Sequence, residues 1–285
     1  MLSILIPTYN YDITHLVYEL HKQATKAEID FEIICFDDGS KSKINSKNDS
    51  INQLYYCTFK VLPLNIGRSA IRNLLAKEAK YENLLFIDAG TFPKKDTFVK
   101  DYIPFMINIA SSGGMTYLEK EPESKYKLRW LYTKKREHNT LCSSNFMIKK
   151  KIVLNFNFDE SLKQYGYEDV LFFETLRKNN IEVFSFNNPV IHDCTDDCLT
   201  FLKKTEFAIE NLNLLAENEK LDNSQSNILK YYTIIKKLKF DKIAALSFKL
   251  MNPFLKMNLC SRFSSLVVYD FYRLGYFCLI KTKTQ

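Results

Sequence analysis

The sequence lacks the features that mark several classes of protein. It has no C-x-x-C pair, and its seven cysteines are odd in number and scattered along the chain, so we expect neither a disulfide framework nor a thiolate zinc site. No basic stretch followed by a long apolar segment stands near Met1, so a secretion signal is not expected. These absences favour a reducing cytosol as the compartment.

A glycine-rich nucleotide loop is missing as well. No G-x-G-x-x-G turn stands where the first strand-like run meets the first helical pattern, which argues against a dinucleotide-binding fold. The same absence argues against a nucleotidyltransferase on a similar α/β sheet. Apolar residues are plentiful, at 46% with 14% aromatic. This share predicts a globular chain, because a disordered chain lacks the apolar surface that offsets its ordering entropy.

Basic charge is concentrated at the C-terminal end. The net charge of the chain is +7, yet residues 228–285 alone carry eleven Lys and Arg against two Asp, whereas residues 1–227 carry 29 basic and 31 acidic residues. A near-neutral body with a basic, aromatic-rich tail predicts two different environments, such as water for the body and an anionic surface for the tail.

The basic tail has no uncharged apolar stretch approaching the roughly twenty residues that a membrane-spanning helix needs. Two interpretations stay open. The tail forms basic amphipathic helices that lie on an anionic membrane surface, or it forms ordinary helices that pack on the rest of the chain with their lysines in water. A nucleic-acid partner is not expected, because no recognition motif accompanies the charge.

Short apolar runs alternate with helical patterns in the first half of the chain. The helical patterns include the repeat of apolar residues from Ile13 to Ala24 and the repeat from Ile71 to Ala79. The alternation predicts a parallel α/β sheet. The predicted strands are Ile4 to Ile6, Phe31 to Phe36, Tyr55 to Leu62 and Leu84 to Ile87.

The middle of the chain begins with a polar, charged stretch from Lys120 to Thr140. We expect it to be a long loop, and long loops in compact domains are often lids or binding surfaces. The elements predicted after it are a strand at Ser144 to Lys149, a helix at Asp169 to Lys178, a strand at Glu182 to Phe186 and a helix at Leu199 to Leu215.

Polar residues follow three of the predicted strands directly. A parallel α/β sheet binds its ligands at the carboxyl ends of its strands, where the connecting loops diverge. These polar residues are therefore the first candidates for a binding site. They are Thr8-Tyr9-Asn10, Asp37-Asp38-Gly39-Ser40 and Asp88-Ala89-Gly90.

Four stretches, in this order along the chain, carry a family resemblance: SILIPTYN, CFDDGS, NIGRSAIRN with LLFIDAG, and FDESLKQYGYEDVLFFETLRK. From Ser3 to about Leu215 the sequence resembles the family 2 glycosyltransferases. The resemblance implies a GT-A fold, a Rossmann-like α/β fold with a mixed, mainly parallel sheet flanked by helices. We expect this domain over residues 1–220 and a basic amphipathic helical extension over residues 221–285.

The first two stretches imply a nucleotide site. In the family, the aromatic residue after the first strand lies against the base, so Tyr9 would stack on it, with Pro7 and Thr8 shaping the loop. Asp38 would accept a hydrogen bond from the base or the ribose. A flat ring and a carboxylate at a strand end suit these tasks. Read without the resemblance, residues 37–40 are equally well explained as a turn.

The third stretch implies a site for the donor diphosphate. Arg68 and Arg72 stand one helical turn apart, so they share a face and can point at one anion. The start of their helix adds a partial positive charge. Arg72 and Asn73 stand where the family has its Arg-Asn pair. The alternative is a solvated arginine pair on an ordinary amphipathic helix.

The family's metal-binding D-x-D motif is incomplete in this sequence. Asp88 matches the first carboxylate, whereas Gly90 replaces the second, which ligates a divalent cation in the family. The resemblance implies Mn²⁺ or Mg²⁺ as cofactor, and the missing ligand leaves metal dependence open. Asp88 and His192 are the candidate ligands, since imidazole suits Mn²⁺. The alternative for His192 is a structural role.

The fourth stretch implies the catalytic base. Asp169 matches the acidic residue that takes the proton from the acceptor hydroxyl in the family, and Glu168 would hold the acceptor or support the base. A single in-line displacement inverts the anomeric centre. The alternative is that Glu168 or Asp169 only caps the helix that begins here.

These inferences predict an inverting transferase that uses a nucleotide-sugar donor, expected to be a UDP-sugar. The expected acceptor is a hydroxyl of a glycan or of a lipid-linked saccharide, as in surface-polysaccharide assembly, with the protein cytoplasmic or peripheral on the inner face of the membrane. The runner-up is a non-catalytic nucleotide- or glycan-binding subunit of the same fold, which Gly90 favours.

Overall fold

The structure is a computed structural model and describes residues 1–138 and 140–283. The chain forms two compact units. The first comprises Met1–Leu118, Thr133–Lys163 and Glu168–Asp193, and the second comprises Glu119–Tyr132, Gln164–Tyr167 and the chain from Cys194 onward. The second unit therefore takes in more of the chain than the extension predicted from residue 221.

The first unit contains a seven-stranded sheet in the order β3-β2-β1-β4-β8-β6-β9. The strands from β3 to β4 are parallel, β8 runs antiparallel to β4 and β6, and β9 is parallel to β6. The predicted α/β class and mainly parallel sheet are confirmed. The strands are β1 (Leu2–Thr8), β2 (Phe31–Asp37), β3 (Cys57–Val61), β4 (Asn83–Ile87), β6 (Ala110–Ser112), β8 (Asn145–Lys149) and β9 (Phe184–Ser185).

A smaller sheet in the same unit joins β5 (Thr91–Pro93), β10 (Val190–His192) and β7 (Met115–Thr116), in the order β5-β10-β7. The helices of the first unit are α1 (Thr14–Lys26), α2 (Asn45–Asn48), α3 (Arg68–Glu78), α4 (Phe98–Tyr102), α6 (Lys150–Asn155) and α7 (Glu168–Lys178). Two 3₁₀ segments, Asp49–Gln53 and Ile103–Ile107, also belong to this unit.

Helices pack on both faces of the large sheet. In β1, Ile4 contributes to one apolar core and Leu5 to the other, because successive side chains of a strand point to opposite faces. The core with Ile4 contains α1, through residues such as Leu20, and the core with Leu5 contains α3, through residues such as Leu75. Burial on both faces explains why these strands read as short, continuous apolar runs.

The predicted long loop at residues 120–140 was wrong. Its described part contains a 3₁₀ segment at Ser124–Tyr126, α5 (Lys127–Tyr132) and a π-helical turn at Thr133–Glu137. Leu128 and Trp130 are buried, so this highly charged stretch has apolar anchors that stabilise helical turns. The strand predicted at Glu182 to Phe186 is shorter than expected and comprises only β9.

The second unit is built mainly from α8 (Cys198–Glu217), α9 (Asn227–Lys237), α10 (Asp241–Leu259) and α11 (Leu266–Lys283). Its apolar core includes Leu128 of α5, Phe201 of α8, Phe248 of α10 and Tyr272 of α11. None of the helices in the described residues is long and apolar enough to cross a membrane.

A disulfide joins Cys198 at the start of α8 to Cys260 just after α10, with their Cα atoms 5.3 Å apart. The expectation of no disulfide was therefore wrong. The two cysteines are separated by 62 residues, and sequence spacing does not reveal which distant cysteines the fold brings together. The cysteine pattern consequently gives no argument for a reducing compartment.

Candidate active site

The loop after β1 presents an aromatic ring to solvent. The side chain of Tyr9 is 57% exposed, while Thr8 is buried and Pro7 is partly exposed. The carbonyl of Thr8 accepts a hydrogen bond from the backbone N–H of Asp38, so the ends of β1 and β2 are held together. An exposed ring at this sheet edge is the arrangement that base stacking requires.

Asp38 fixes the loop that leads into α3. Its Oδ1 accepts from the N–H of Ile66 at 2.7 Å and its Oδ2 from the N–H of Gly67 at 3.0 Å. Burial raises the pKa of Asp38, and these backbone donors offset the rise only in part. The bond predicted from Asp38 to the base or ribose is not tested by these contacts and stays a prediction.

The turn after β2 requires glycine. Gly39 has φ of +66°, and a Cβ there would lie 2.4 Å from the backbone carbon of Leu64. Asp37 accepts hydrogen bonds from the Ser40 N–H at 2.8 Å and from the Asn45 Nδ2 at 3.1 Å. The interpretation of this segment as a turn therefore describes its local structure.

Arg68 and Arg72 lie on one face of α3, as their spacing predicted, and both contact carboxylates of the protein. Arg72 is 1% exposed and donates through a terminal guanidinium nitrogen to Asp88 Oδ1 at 2.7 Å. Arg68, whose side chain is 37% exposed, donates through Nε to Glu168 Oε1 at 2.6 Å and lies 3.7 Å from Asp88 Oδ2. Arg68 thus joins the end of β4 to the start of α7.

Asp88 has a third partner that the sequence did not reveal. Ser144, the residue before β8, donates its hydroxyl to Asp88 Oδ2 at 2.8 Å, and its carbonyl accepts from the Asp88 N–H. Burial alone would raise the pKa of Asp88, but Arg72 and Arg68 outweigh it, and the pKa lies below its usual value. Only the antiparallel pairing of β4 with β8 brings Ser144 here.

Adjacent carboxyls at the start of α7 have pKa values shifted in opposite directions. Burial raises the pKa of Glu168, but the charges of Arg68 and Arg72 outweigh it and hold the pKa below its usual value. Burial and the negative charge of Glu168 raise the pKa of Asp169 to about 6. Glu168 is therefore a fixed anion, whereas Asp169 is able to exchange a proton near neutral pH.

Asn73 has protein partners at both ends of its amide. Its Nδ2 donates to the carbonyl of Phe158 at 2.9 Å and to Glu160 Oε1 at 2.8 Å, and its Oδ1 accepts from the Phe158 N–H. These bonds tie the segment before α7 to α3. The predicted contact between Asn73 and the donor is not tested by them.

Gly90 faces a carboxylate from another part of the chain. A Cβ built on Gly90 would lie 3.4 Å from both carboxylate oxygens of Asp193, and the Asp193 N–H donates to the Gly90 carbonyl. His192 pairs with Thr91 across β5 and β10, and its Nδ1 lies 3.7 Å from Asp193 Oδ1. Asp193 thus occupies the space toward which a side chain at position 90 would project.

The donors around Gly90 suit a cation that the substrate helps to bind. Across residues 1–138 and 140–283, no three His, Cys, Asp or Glu side chains form a metal cage. One carboxylate and one imidazole are a sufficient protein contribution when a diphosphate and water complete the coordination of a divalent ion. Asp193 and His192 fit that requirement. Asp88 is bonded to Arg72 and Ser144, and its predicted contact with the ion is not tested by these bonds and stays a prediction.

A mainly parallel sheet flanked by helices, with carboxylates at the ends of its strands, is the architecture of the GT-A fold. The family model described as Glycosyl transferase family 2 matches residues 3–203. The chain belongs to glycosyl transferase family 2 and is a glycosyltransferase.

Solved structures share this fold at low sequence identity. Mannosyltransferase PcManGT from Pyrobaculum calidifontis, in complex with GDP-Man and Mn²⁺, is 11% identical with a TM-score of 0.59, over 99% of this chain and 86% of that one. S. aureus TarS 1-349, in complex with UDP-GlcNAc, is 18% identical with a TM-score of 0.51, over 99% and 91%. GalNAc-T7, with UDP, GalNAc and Mn²⁺, is 15% identical with a TM-score of 0.53, over 67% and 43%. No curated protein sequence matches the chain.

Proposed function

We propose that the protein is an inverting glycosyltransferase that moves a sugar from a UDP-sugar to a hydroxyl of a glycan or of a lipid-linked saccharide. The observation that carries this proposal is the contact of Arg68 with both Asp88 and Glu168. It brings the carboxylate expected at the donor together with the start of α7, where Asp169 stands.

Asp169 acts as the general base in this proposal. As the acceptor oxygen attacks the anomeric carbon, its proton passes to the Asp169 carboxylate. The bond from the anomeric carbon to the diphosphate oxygen breaks on the opposite face, and its electron pair leaves with the diphosphate. A single displacement of this kind inverts the configuration. A base with a pKa of about 6 is ionised at neutral pH and is still basic enough to assist the attack.

Glu168 and the two arginines organise the site around this base. Arg72 is buried and holds Asp88, so we assign it a positioning role behind the donor. Arg68 is the more exposed of the pair and is the guanidinium proposed to meet the diphosphate. Glu168 orients Arg68 and, by its charge, keeps the pKa of Asp169 raised.

The proposed donor contacts follow from the exposed edge of the sheet. Tyr9 stacks on the base, Pro7 and Thr8 shape its loop, and Asp38 and Asp88 accept hydrogen bonds from the nucleoside. We propose uracil as the base, which the UDP-GlcNAc complex of TarS supports. The GDP-Man complex of the mannosyltransferase makes guanine the competing outcome.

A divalent cation, Mn²⁺ or Mg²⁺, is part of the proposal. Asp193 and His192 would hold it, with Asp193 in place of the carboxylate that Gly90 lacks. The bound ion would neutralise charge on the departing diphosphate. Mn²⁺ is present in two of the solved structures that share the fold, which supports a cation here.

We propose that the protein works at the cytoplasmic face of the membrane, as a peripheral protein, in the assembly of a surface polysaccharide. The charge asymmetry supports this, because the eleven basic residues of the last 58 positions are opposed by only two acidic ones. An anionic lipid surface attracts such a segment. In a reducing cytosol the Cys198–Cys260 pair would be present as two thiols.

The test of sugar transfer combines binding with turnover. Titration with UDP and with GDP identifies the base, and release of the nucleotide from matching sugar donors, with glycan and lipid-linked acceptors, reports turnover. We expect Asp169→Asn to bind UDP like the unchanged protein and to lose turnover by about 10³-fold, a typical scale for removing a catalytic base. Glu174→Gln, on the same helix and paired with Arg177, is the matched control. UDP binding without turnover for any acceptor would favour a nucleotide-binding subunit instead.

A further inference from the structure

Helix α10 exposes a continuous apolar stripe. Six large apolar side chains of this helix are 52% to 68% exposed. Their spacing of three, four and one residues places them along one side of a helix with 3.6 residues per turn. They are Ile243, Leu246, Leu250, Met251, Phe254 and Met257.

This stripe is a second apolar face, distinct from the one that packs in the core. Phe248 and Leu259, with the partly buried Leu255, join α10 to the core of the second unit. Gly275 of α11 lets the two helices approach closely, since a Cβ there would lie 2.6 Å from the Phe248 ring. The fold of the second unit therefore does not require the exposed stripe. A run of exposed large apolar side chains along one helix is a candidate interaction site.

Lysines accompany the stripe. Lys242 and Lys249 are seven residues, or two turns, apart and lie beside the apolar residues, whereas Lys256, the next at that interval, lies 3.6 Å from Glu206 of α8. Lys236, Lys237 and Lys239 stand just before the helix. Asp241 is the only acidic residue of α10. An apolar stripe bordered by lysines fits the interface of an anionic membrane, where apolar side chains insert and lysines meet lipid phosphates.

We infer that α10 is the membrane-docking surface of the protein and lies in the plane of an anionic lipid interface through the stripe from Ile243 to Met257. The inference rests on the proposed membrane location and adds the surface that produces it. A second copy of the chain is the less suitable occupant, because pairing two α10 helices would bring their lysines together. A lipid surface rich in phosphate complements the same lysines.

Vesicle flotation with the full-length chain tests this assignment. We expect the protein to float with vesicles of equimolar phosphatidylglycerol and phosphatidylcholine and to bind pure phosphatidylcholine vesicles at least several-fold less. Leu250→Glu/Phe254→Glu should weaken binding to the anionic vesicles by about tenfold or more, since two large apolar contacts are replaced by repelled charges. Lys242→Gln/Lys249→Gln should lower binding to anionic vesicles alone.

The matched control is Tyr55→Glu/Ile107→Glu, which adds the same charge at two highly exposed apolar residues of the first unit. It should float like the unchanged protein. Equal flotation of the α10 variant and this control would overturn the inference. So would a shift of the α10 variant from dimer to monomer in light scattering with vesicle binding unchanged, because the stripe would then belong to a second copy.

UDP titration of the same variants without vesicles separates this inference from the proposed sugar transfer. We expect both double-Glu variants to bind UDP with unchanged affinity. If the two double-Glu variants float equally while both still bind UDP, the docking surface is refuted and the proposed sugar transfer is unaffected. If flotation behaves as expected but the protein binds no nucleotide, the docking surface is supported and the proposed sugar transfer is refuted.

Discussion

At the scale of single residues, the candidate site is governed by a small set of opposed charges. Arg72 is buried against Asp88, and Arg68 spans Asp88 and Glu168, so the arginine charges are already balanced by protein carboxylates. Asp169 then carries an additional negative charge near Glu168, and its pKa is raised. Much of the positive charge needed by a diphosphate must therefore come from elsewhere, which is why a cation is part of the proposal.

The raised pKa of Asp169 predicts the pH dependence of turnover. The base must be ionised, so kcat/KM should be flat near pH 8 and fall as the pH drops through about 6, approaching tenfold per unit.

The raised pKa of Asp169 also predicts a pH dependence of stability. The folded state holds the Asp169 proton more tightly than the unfolded chain, so ionisation of Asp169 lowers the free energy of unfolding as the pH rises from 3.8 through about 6. Asp169→Asn should therefore raise the melting temperature at pH 8, with a gain that shrinks below pH 6. A lower melting temperature at pH 8 would contradict this.

Because Asp193 lies where a side chain at position 90 would project, we expect one carboxylate, at either position 90 or position 193, to support the effect of Mn²⁺ on UDP binding. Asp193→Asn should reduce the enhancement of UDP affinity by Mn²⁺ by about tenfold or more, as measured by calorimetry with and without the ion. Gly90→Asp alone should not strengthen the response, because its side chain would meet the Asp193 carboxylate. The double variant Gly90→Asp/Asp193→Ala should restore the enhancement of UDP affinity by Mn²⁺.

Asp101→Ala is the control for these variants, since Asp101 pairs with Lys95 and not with His192 or Asp193. An Mn²⁺ effect of equal size in the unchanged protein and Asp193→Asn would show that Asp193 does not hold the ion. Electron paramagnetic resonance of bound Mn²⁺ provides a readout that does not depend on sugar transfer.

At the scale of elements, local patterns in the sequence predicted most strands and helices but not the long-range contacts. Continuous apolar runs and 3.6-residue periodicity sufficed for β1, β2, α1 and α3, because the two strands are buried on both faces and the two helices are buried along one. The many charged residues at 120–140 led to the wrong prediction of a loop, because two buried residues anchor helical turns there. Ser144 and Asp193 are brought to the candidate site by strand pairing between distant segments, which local sequence patterns do not reveal.

The disulfide between α8 and α10 predicts a redox-dependent stability. Closing a loop of 62 residues restricts the unfolded chain, so reduction or Cys198→Ser should lower the free energy of unfolding by about 2 to 4 kcal/mol, measured by urea titration. Cys57→Ser, at a free cysteine, should leave the difference between oxidised and reduced protein unchanged. Identical urea midpoints with and without dithiothreitol would contradict the prediction.

At the scale of the whole molecule, the sequence was sufficient to identify the family and to indicate the strand ends at which the candidate site lies. It placed Asp88, Arg68, Arg72 and Glu168 in one site, and these four residues are in contact. It did not foresee that both arginines meet protein carboxylates, since such partners depend on side chains that converge only in three dimensions. The sugar and the acceptor depend on the same kind of convergence.

The Cys198–Cys260 bond also determines what a single backbone cut can do. The connection between α8 and α9, residues 218–226, lies inside the loop that this bond closes. A protease that cleaves there leaves two polypeptides joined by one covalent link, and they migrate as a single species until a thiol reductant is added. The basic helices would then remain attached to the nicked enzyme under oxidising conditions.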